Sequence, residues 1–337
     1  MNAALPSEVT LDNCDQEPIH IPGHIQPHGA LFAFDGKGLL SFCSSNAQAL
    51  MGDQIPVLGE ALAPRHFAAF EGFHELIAAV REAPDGDVIP HAMQVMDEHG
   101  TFDVIAHRNG DGIVCEFENA LNAVPVPANF SFTSHRATER LKRQQGVEGL
   151  LSAAVEEVRR MTGFDRVMAY RFRHDDSGDV VAESVSDALD PFLGRRYPAS
   201  DIPVQARRLY IINTLRLIAD VRAAPVPVHA APGTVIPLDM SHGVLRSVSP
   251  VHIEYLTNMG VGASMSVSIV INGKLWGMLA CHHMRARRVA YTVRMACDVL
   301  AQILASNLQG ALAREHAARA DAAASLRSRV VEQVLHA

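Results

Sequence analysis

The chain has 337 residues, of which 48% are hydrophobic and 20% charged, with a formal net charge of −8 and a pI near 6.1. This composition predicts a folded protein of about two domains, and its acidic balance argues against nucleic-acid binding. The sequence has no apolar run long enough to cross a membrane, so no membrane span is predicted. Its N-terminus has no basic segment followed by an apolar core, so export is not predicted. Five cysteines without a CxxC pair predict neither a disulfide framework nor a zinc finger, so a cytoplasmic location is expected.

Residues 1–28 form a Pro-rich N-terminal extension that contains three histidines spaced four residues apart. They are His20, His24 and His28. On a helix this spacing would place three imidazoles on one face and favour a metal site. Pro22 and Pro27 exclude a continuous helix. The extension is therefore predicted to be extended, and no metal ligand is assigned in it.

A single cysteine, Cys14, precedes these histidines in a polar context. It is either an exposed thiol without a role or a nucleophile, and a nucleophile needs surroundings that favour the thiolate. Asp15 and Glu17 would raise the thiol pKa. Acid–base activation of the kind found in enzymes is therefore disfavoured, and no catalytic residue is assigned.

Residues 29–128 are predicted to form a small α+β domain, because short apolar runs alternate there with turn signals. One strand pair is expected around a turn at Gly36–Gly38. A second hairpin is predicted at Asn109–Gly112, where Asn-Gly-Asp-Gly separates two alternating runs. Short helices are predicted between the two strand pairs.

Residues 138–312 are predicted to form a second α+β domain. It begins with a helix that ends at Gly163, and a later helix is expected to have Asp201 as its N-cap and Pro203 in its first turn. Residues 221–247 are Pro-rich and irregular, which is typical of a functional insertion. A hairpin turning at Asn272-Gly273 follows, and a helix is predicted from about Tyr291, with residues 313–337 as a helical linker.

Arginines and serines in the second domain suggest an anion site. The arginines are Arg207, Arg208, Arg216 and Arg246, and the serines are Ser264, Ser266 and Ser268. The serines alternate with apolar residues, so one face of their strand carries hydroxyls. Guanidinium groups match the geometry of carboxylates. The alternatives are solvated surface arginines and a structural serine face.

The length of the Asn272-Gly273 loop decides whether His282 joins these serines. A two-residue loop pairs position 264 with position 281 and places His282 on the opposite face. A three-residue loop, or a bulge, would instead join Ser264, Ser266 and His282 on one face. From the residues alone, the chain is predicted to be a two-domain, sensor-like module with an anion-binding pocket.

Long stretches of the sequence resemble the chromophore-binding half of bacterial phytochromes, which are photoreceptors that bind biliverdin. The resemblance runs from Cys14 to about Leu312 and includes NCDQEPIHIPGHIQPHG, FLGRRYPASDIPVQARRLY, LRSVSPVHIEYLTNMGVGASMSVSIV and LWGMLACHH. It implies a PAS domain followed by a GAF domain, each with a central antiparallel sheet and flanking helices. It also implies a figure-of-eight knot, in which the N-terminal extension threads the 221–247 lasso near Ile25, and a long C-terminal helix.

The resemblance assigns roles to individual residues. Cys14 would form a thioether with biliverdin IXα, and the main-chain carbonyl of Asp201 would accept from the pyrrole N–H groups. One propionate would be held by Arg216, Arg246 and Tyr210, and the other by Ser264, Ser266 and His252. His282 would bond the D-ring carbonyl. Further pocket residues are Ile202, Pro203, Ser249, Met168, Tyr170, Phe192, Tyr197 and Tyr255, of which the last five would surround the D ring.

The implied function is red/far-red light sensing that begins with isomerisation at C15=C16. The resemblance further implies a homodimer formed through the GAF and C-terminal helices, and a histidine kinase output with a response regulator as partner. This chain is expected to be a fragment that lacks the PHY and output modules and to have no enzymatic activity of its own. The rival hypothesis is a non-photochemical PAS–GAF sensor that binds haem or a nucleotide.

Overall fold

The computed structural model describes residues 16–83, 91–97, 100–121 and 135–335. Two compact units are present. The first comprises Met1–Val126, Ser200–Ser266 and His282–Arg294, and the second comprises Pro127–Ala199, Val267–Cys281 and Met295–Ala337. Cys14 lies outside the described residues.

A seven-stranded antiparallel sheet forms the framework of the first unit, in the order β1-β11-β3-β2-β6-β5-β4. The strands are β1 His24–Ile25, β2 Gly29–Phe34, β3 Leu40–Ser44, β4 His91–Asp97, β5 Gly100–Asn109, β6 Gly112–Asn119 and β11 Val226–Ala230. Both predicted hairpins are present. In the second, Asn109 pairs with Gly112, and Gly110 takes a left-handed φ of 59°.

Phenylalanine side chains fill the core on one face of this sheet. Phe32, Phe67, Phe73 and Phe117 are buried there, and the rings of Phe67 and Phe117 stack with centroids 5.3 Å apart. Two helices cover this face, α1 Ala47–Met51 and α2 Phe73–Glu82. The second buries Phe73, Ile77 and Val80, as expected for the spacing of a helix face.

The prediction that residues 221–247 are irregular throughout was wrong in one respect, because this insertion contains β11. The strand pairs with β1 through His24 and Ile25, and with β3 through partners such as His229 and Cys43. Pro225 and Pro227 hide it from sequence-based prediction, since prolines interrupt a strand pattern. Pro227 is accommodated opposite His24, at the short two-residue strand β1.

The N-terminal extension lies between the two arms of the insertion. On one side, β1 pairs with β11. On the other, the amide of Met240 donates to the carbonyl of His20, and the amide of Gln26 donates to the carbonyl of Leu245. Ile25 is fully buried and bridges to Arg246. These contacts hold the extension against both arms of the insertion, and the knot itself stays a prediction.

The remaining elements of the first unit are α4 Val204–Ile212, β10 Leu215–Ile218 and α5 Pro250–Asn258. Asp201 was wrongly predicted as the N-cap of α4. Pro203 takes that position, and Asp201 ends a preceding 3₁₀ turn, Ala199–Asp201. The reason is that proline has a fixed φ and no N–H, so it can stand at the helix boundary without losing a hydrogen bond.

The second unit contains α3 Gly146–Thr162, β7 Arg166–Phe172, β8 Gly178–Val185 and β9 Arg196–Tyr197. As predicted, Gly163 ends α3 in the left-handed conformation. Strands β12 Ala263–Ile271 and β13 Lys274–His283 and the long helix α6 Tyr291–Leu335 extend through both units. The order of the second sheet is β10-β12-β13-β7-β8-β9.

Candidate functional site

Two arginines of the first unit lie close together. Half-buried Arg216 is on β10, and buried Arg246 is near the end of the insertion. The Nη2 group of Arg216 donates to the carbonyl oxygen of Arg246 and, at 2.8 Å, to that of Ser247. Burial lowers the pKa of both guanidinium groups, and the charge of Arg246 lowers the pKa of Arg216 further. Backbone carbonyls thus anchor the Arg216 guanidinium near a second positive charge.

Each of these arginines also has a buried donor that is not used. Among the described residues, neither Nη1 of Arg216 nor Nε of Arg246 has a hydrogen-bond partner. Buried donors are normally satisfied, and two adjacent cations attract a negative charge. The donor set therefore fits an anionic ligand such as a carboxylate.

A polar chain of side chains continues from the arginine pair. The hydroxyls of Tyr210 and Ser266 are hydrogen-bonded, and both arginines lie close enough to Tyr210 to lower the pKa of its phenol, although burial raises that pKa overall. Burial, helped by the charge of Arg216, lowers the pKa of His252 to about 4. The imidazole of His252 is therefore neutral at physiological pH, which leaves the positive charge of the site to the arginines.

Tyr255 connects His252 to Asp201, because its ring stacks on His252 and its hydroxyl bonds Asp201. The rings of His252 and Tyr255 are stacked on α5, with centroids 6.1 Å apart and planes 12° apart. The Tyr255 hydroxyl donates to the Asp201 carboxylate, whose pKa burial raises. The structure thus connects seven of the predicted site residues through direct contacts or short-range electrostatics. They are Asp201, Tyr210, Arg216, Arg246, His252, Tyr255 and Ser266.

The predicted hairpin has the two-residue loop. Strand β12 ends at Ile271 and β13 begins at Lys274, with left-handed φ values of 51° at Asn272 and 72° at Gly273. At the other end of the hairpin, the amide of Gly262 donates to the carbonyl of His283. This hydrogen bond has the register that a two-residue loop requires. By alternation, Ser264 lies opposite Cys281, and His282 lies on the other strand face.

Comparisons with known proteins agree on the fold and the family. Residues 14–120 match the PAS fold family, and residues 146–312 match the GAF domain family. A solved chromophore-binding domain of a Stigmatella aurantiaca bacteriophytochrome, a variant in the Pr state, is 42% identical with a TM-score of 0.80, and the match covers 88% of this chain and 99% of that chain. This chain belongs to the bacteriophytochrome family.

Other relatives in the family agree. A bacteriophytochrome from Pseudomonas aeruginosa is 47% identical over 299 residues, which are 88% of this chain and 40% of that protein. A bacteriophytochrome from Xanthomonas campestris is 38% identical over 316 residues, 90% of this chain and 48% of that protein. The chain therefore spans less than half the length of these two bacteriophytochromes. Within the part that the structure describes, no helix is both long and apolar enough to cross a bilayer.

Four aromatic or sulfur-containing residues that the phytochrome resemblance places near a D ring lie in the second unit. Within it, Tyr170 and Tyr197 have ring centroids 6.1 Å apart. Met168 is buried on β7, and Phe192 is half-buried with the guanidinium of Arg166 3.6 Å from its ring centroid. A Cβ on Gly178 would stand 1.9 Å from the ring of Tyr170, so this tyrosine needs glycine as its neighbour.

The other predicted pocket residues of this bacteriophytochrome chain have different surroundings. The Ser249 hydroxyl donates a hydrogen bond to the carboxylate of Glu17, in the N-terminal extension. Ser264, Ile202 and Pro203 are half-buried, and His282 is buried. Sequence reasoning did not assign Glu17 to this neighbourhood, because nothing in the pattern of an irregular segment identifies its distant partner.

Glu116 is the buried residue that sequence reasoning missed. It lies on β6, and both of its carboxylate oxygens accept hydrogen bonds from the insertion. Glu116 and Glu118 alternate with apolar residues in VCEFEN, a pattern that usually marks a solvated strand face. The insertion covers that face, with Met240 and Leu245 packed on Leu31 and Val114, so the alternation is misleading here.

Proposed function

We propose that this chain is the bilin-binding part of a red/far-red photoreceptor and that it binds biliverdin IXα. The observation that carries the proposal is the arginine pair, with one unused buried donor on each guanidinium. Biliverdin bears two propionates, and a propionate is the kind of anion that this pair fits. Membership of the bacteriophytochrome family supports the choice of a bilin over other carboxylates.

In this proposal Arg216, Arg246 and Tyr210 hold one propionate, and Ser264, Ser266 and His252 hold the other. The hydrogen bond between Tyr210 and Ser266 supports the assignment, because it links the two sets of residues. Since the pKa of His252 is about 4, its imidazole is neutral and serves as a hydrogen-bonding group, not as a charge.

The pyrrole N–H groups are assigned to the main-chain carbonyl of Asp201. Support comes from the hydrogen bond between the Tyr255 hydroxyl and the Asp201 carboxylate, which orients the residue. Ile202, Pro203 and Ser249 remain proposed pocket residues. When bound, biliverdin supplies light absorption and isomerisation at C15=C16, while the protein supplies position and electrostatics.

The D ring is assigned to His282 and to five surrounding residues, which are Met168, Tyr170, Phe192, Tyr197 and Tyr255. The hairpin register separates His282 from the strand face of Ser264 and Ser266. The two groups are therefore expected to act on different parts of the pigment. A variant His282→Ala should shift the absorbance band while the serines still hold the propionate.

Cys14 is proposed to carry the thioether link to the pigment. Attachment at a vinyl group requires a reachable thiol more than a low thiol pKa, so Asp15 and Glu17 are compatible with it. The Cys14→Ser variant should bind biliverdin reversibly and lose pigment fluorescence on a denaturing gel. Fluorescence that persisted on that gel would assign the link to another cysteine, and Cys43→Ser is the matched control.

The spectrum of the pigment-loaded chain tests the whole proposal. Biliverdin added to apoprotein should give a strong red absorbance band that changes on red illumination. The rival sensor, which binds haem or a nucleotide without photochemistry, predicts a Soret-dominated haem spectrum or no visible band. Absence of a red band with biliverdin would refute the proposed function.

Partners and output of the whole protein are proposed on family membership. A homodimer through the C-terminal helix is supported by exposed apolar side chains on α6, namely Leu326, Val331, Val334 and Leu335. A cytoplasmic histidine kinase output that acts on a response regulator is the proposed signalling route. Light scattering of the chain and of a Leu326→Glu variant tests the dimer.

A further inference from the structure

Glu116 fixes the backbone that leads into Arg246. Its side chain is fully buried on β6. One carboxylate oxygen accepts from the amide of Val244 and the other from the amide of Leu245, both at 2.8 Å. Since Leu245 precedes Arg246, a single carboxylate on the PAS-type sheet fixes the backbone from which the Arg246 side chain extends.

Glu116 also shares its electrostatic surroundings with the arginine pair. Arg216 on β10 lowers the pKa of Glu116, and Glu118 on the same strand raises it. Glu116 in turn supports the charged form of both arginines. Other titratable groups that sense its charge are Cys115 and Tyr291. Burial outweighs the opposing contacts and raises the pKa of Glu116 to about 7.

We propose that Glu116 is a positioning residue for the arginine pair and that it takes up a proton from solvent when a carboxylate ligand binds there. This inference rests on the proposed function, in which the ligand is a biliverdin propionate. The proton moves from solvent to a carboxylate oxygen of Glu116, so one negative charge is neutralised as another arrives.

The reason is competition between two anions for the same two cations. Without ligand, Glu116 is the carboxylate whose charge both arginines sense. A second carboxylate at these guanidinium groups offsets the attraction that keeps Glu116 ionised, so the protonated form becomes favoured. By linkage, ligand affinity must then fall as pH rises above 7, by at most about tenfold per pH unit for one proton.

The experiment is a calorimetric titration with biliverdin between pH 7 and 8.5, in two buffers of different ionisation enthalpy. All chains carry Cys14→Ser, which makes binding reversible. We expect the otherwise unchanged chain to take up more protons per biliverdin than Glu116→Gln, by a fraction of a proton, and to lose affinity more steeply as pH rises. The difference between the two chains measures Glu116 alone, because an amide does not titrate and any proton taken up by the pigment or by His252 is common to both.

Two controls separate this inference from the proposed function. Asp103→Asn, at a partly buried carboxyl on the adjacent strand β5, should leave the proton uptake unchanged. Biliverdin dimethyl ester, which lacks the ionised carboxylates, should bind to the unchanged chain and to Glu116→Gln with equal proton uptake. Equal proton uptake by these two chains with biliverdin itself overturns the inference, whereas failure of biliverdin to bind any chain overturns the proposed function instead.

Glu116→Asp covers the case in which the glutamine variant does not fold. The shorter acid still titrates but cannot reach both amides with the same geometry. We expect proton uptake to remain and biliverdin affinity to fall by about tenfold, the effect of losing one hydrogen bond to a charged group. Affinity equal to that of glutamate would overturn the positioning role.

Discussion

At the scale of single residues, the proposed function gives the arginine pair opposite effects on the empty and the loaded protein. Arg246 is 7% exposed and donates through Nη1 to the carbonyl of Ile19, while its charge disfavours that of Arg216. Like charges in a buried place cost free energy that only an anion can recover. Removal of one of the two charges should therefore weaken ligand binding while leaving the stability of the apoprotein nearly unchanged.

An Arg246→Met substitution tests this conflict. Biliverdin affinity should fall by about 10- to 100-fold, since a hydrogen bond to a charged group contributes about 1.5–3 kcal/mol. Stability of the apoprotein should change little, because relief of repulsion offsets the lost hydrogen bond to Ile19. Absorbance titration and urea unfolding measure the two effects. Arg208→Met, at an exposed position on α4, is the control and should change neither.

At the scale of elements, local patterns predicted what local physics determines. The turn at Asn272-Gly273, the end of α3 at Gly163 and the hairpin at Asn109–Gly112 follow from backbone preferences within a few residues. Strand β11 and the role of Glu116 depend on partners more than 100 residues away in sequence. Prolines interrupt the strand pattern of β11, and the alternation around Glu116 indicates a solvated strand face, so the sequence pattern identifies neither feature.

The site residues divide in the same way. Residue chemistry alone predicted an anion site from arginines and serines, and the structure brings Arg216 and Arg246 together. Their specific roles came from the family resemblance and remain proposals. Of the residues named by resemblance, Cys14 lies outside the described residues, and the register places His282 on another strand face from Ser264.

A substitution at Gln26 tests how much the contacts of the N-terminal extension contribute to stability. Its buried amide donates to the carbonyl of Leu217 and accepts from the amide of Ala219, at 2.8 and 3.0 Å. Gln26→Ala leaves two backbone groups unsatisfied, at a cost of about 1–3 kcal/mol each. The urea midpoint should fall with an unchanged m-value. Gln48→Ala, whose exposed side chain bonds Asp53, should leave the midpoint in place.

At the scale of the whole molecule, buried neutral histidines set the response to acid. Burial lowers the pKa of His28 to about 4, that of His107 to about 3 and that of His252 to about 4. Unfolded histidines titrate near 6.5, so below that pH the unfolded chain binds more protons than the folded one. The folded state should therefore lose stability as pH falls from about 6.5 toward 4.

The slope of the free energy of unfolding against pH measures how many histidines are buried and neutral in the folded state. Three such groups contribute up to about 4 kcal/mol per pH unit, since each proton contributes about 1.4 kcal/mol per unit. Glu116 acts with the opposite sign of slope, because its raised pKa makes the folded state bind more protons between about 4.5 and 7. In that window its contribution to stability falls as pH rises, and it partly offsets the gain from the histidines.

A His107→Phe substitution measures the contribution of one histidine to the pH slope separately from that of Glu116. His107 is 1% exposed on β5, with the ring of His242 5.8 Å away and Nδ1 unpartnered among the described residues. Phenylalanine does not titrate, so the variant should lose about one proton of slope, roughly 1.4 kcal/mol per pH unit, between pH 4 and 6. His174→Phe, at an exposed turn, should keep the full slope. Equal slopes in both variants, measured by urea unfolding across this range, would show that His107 is already protonated in the folded state.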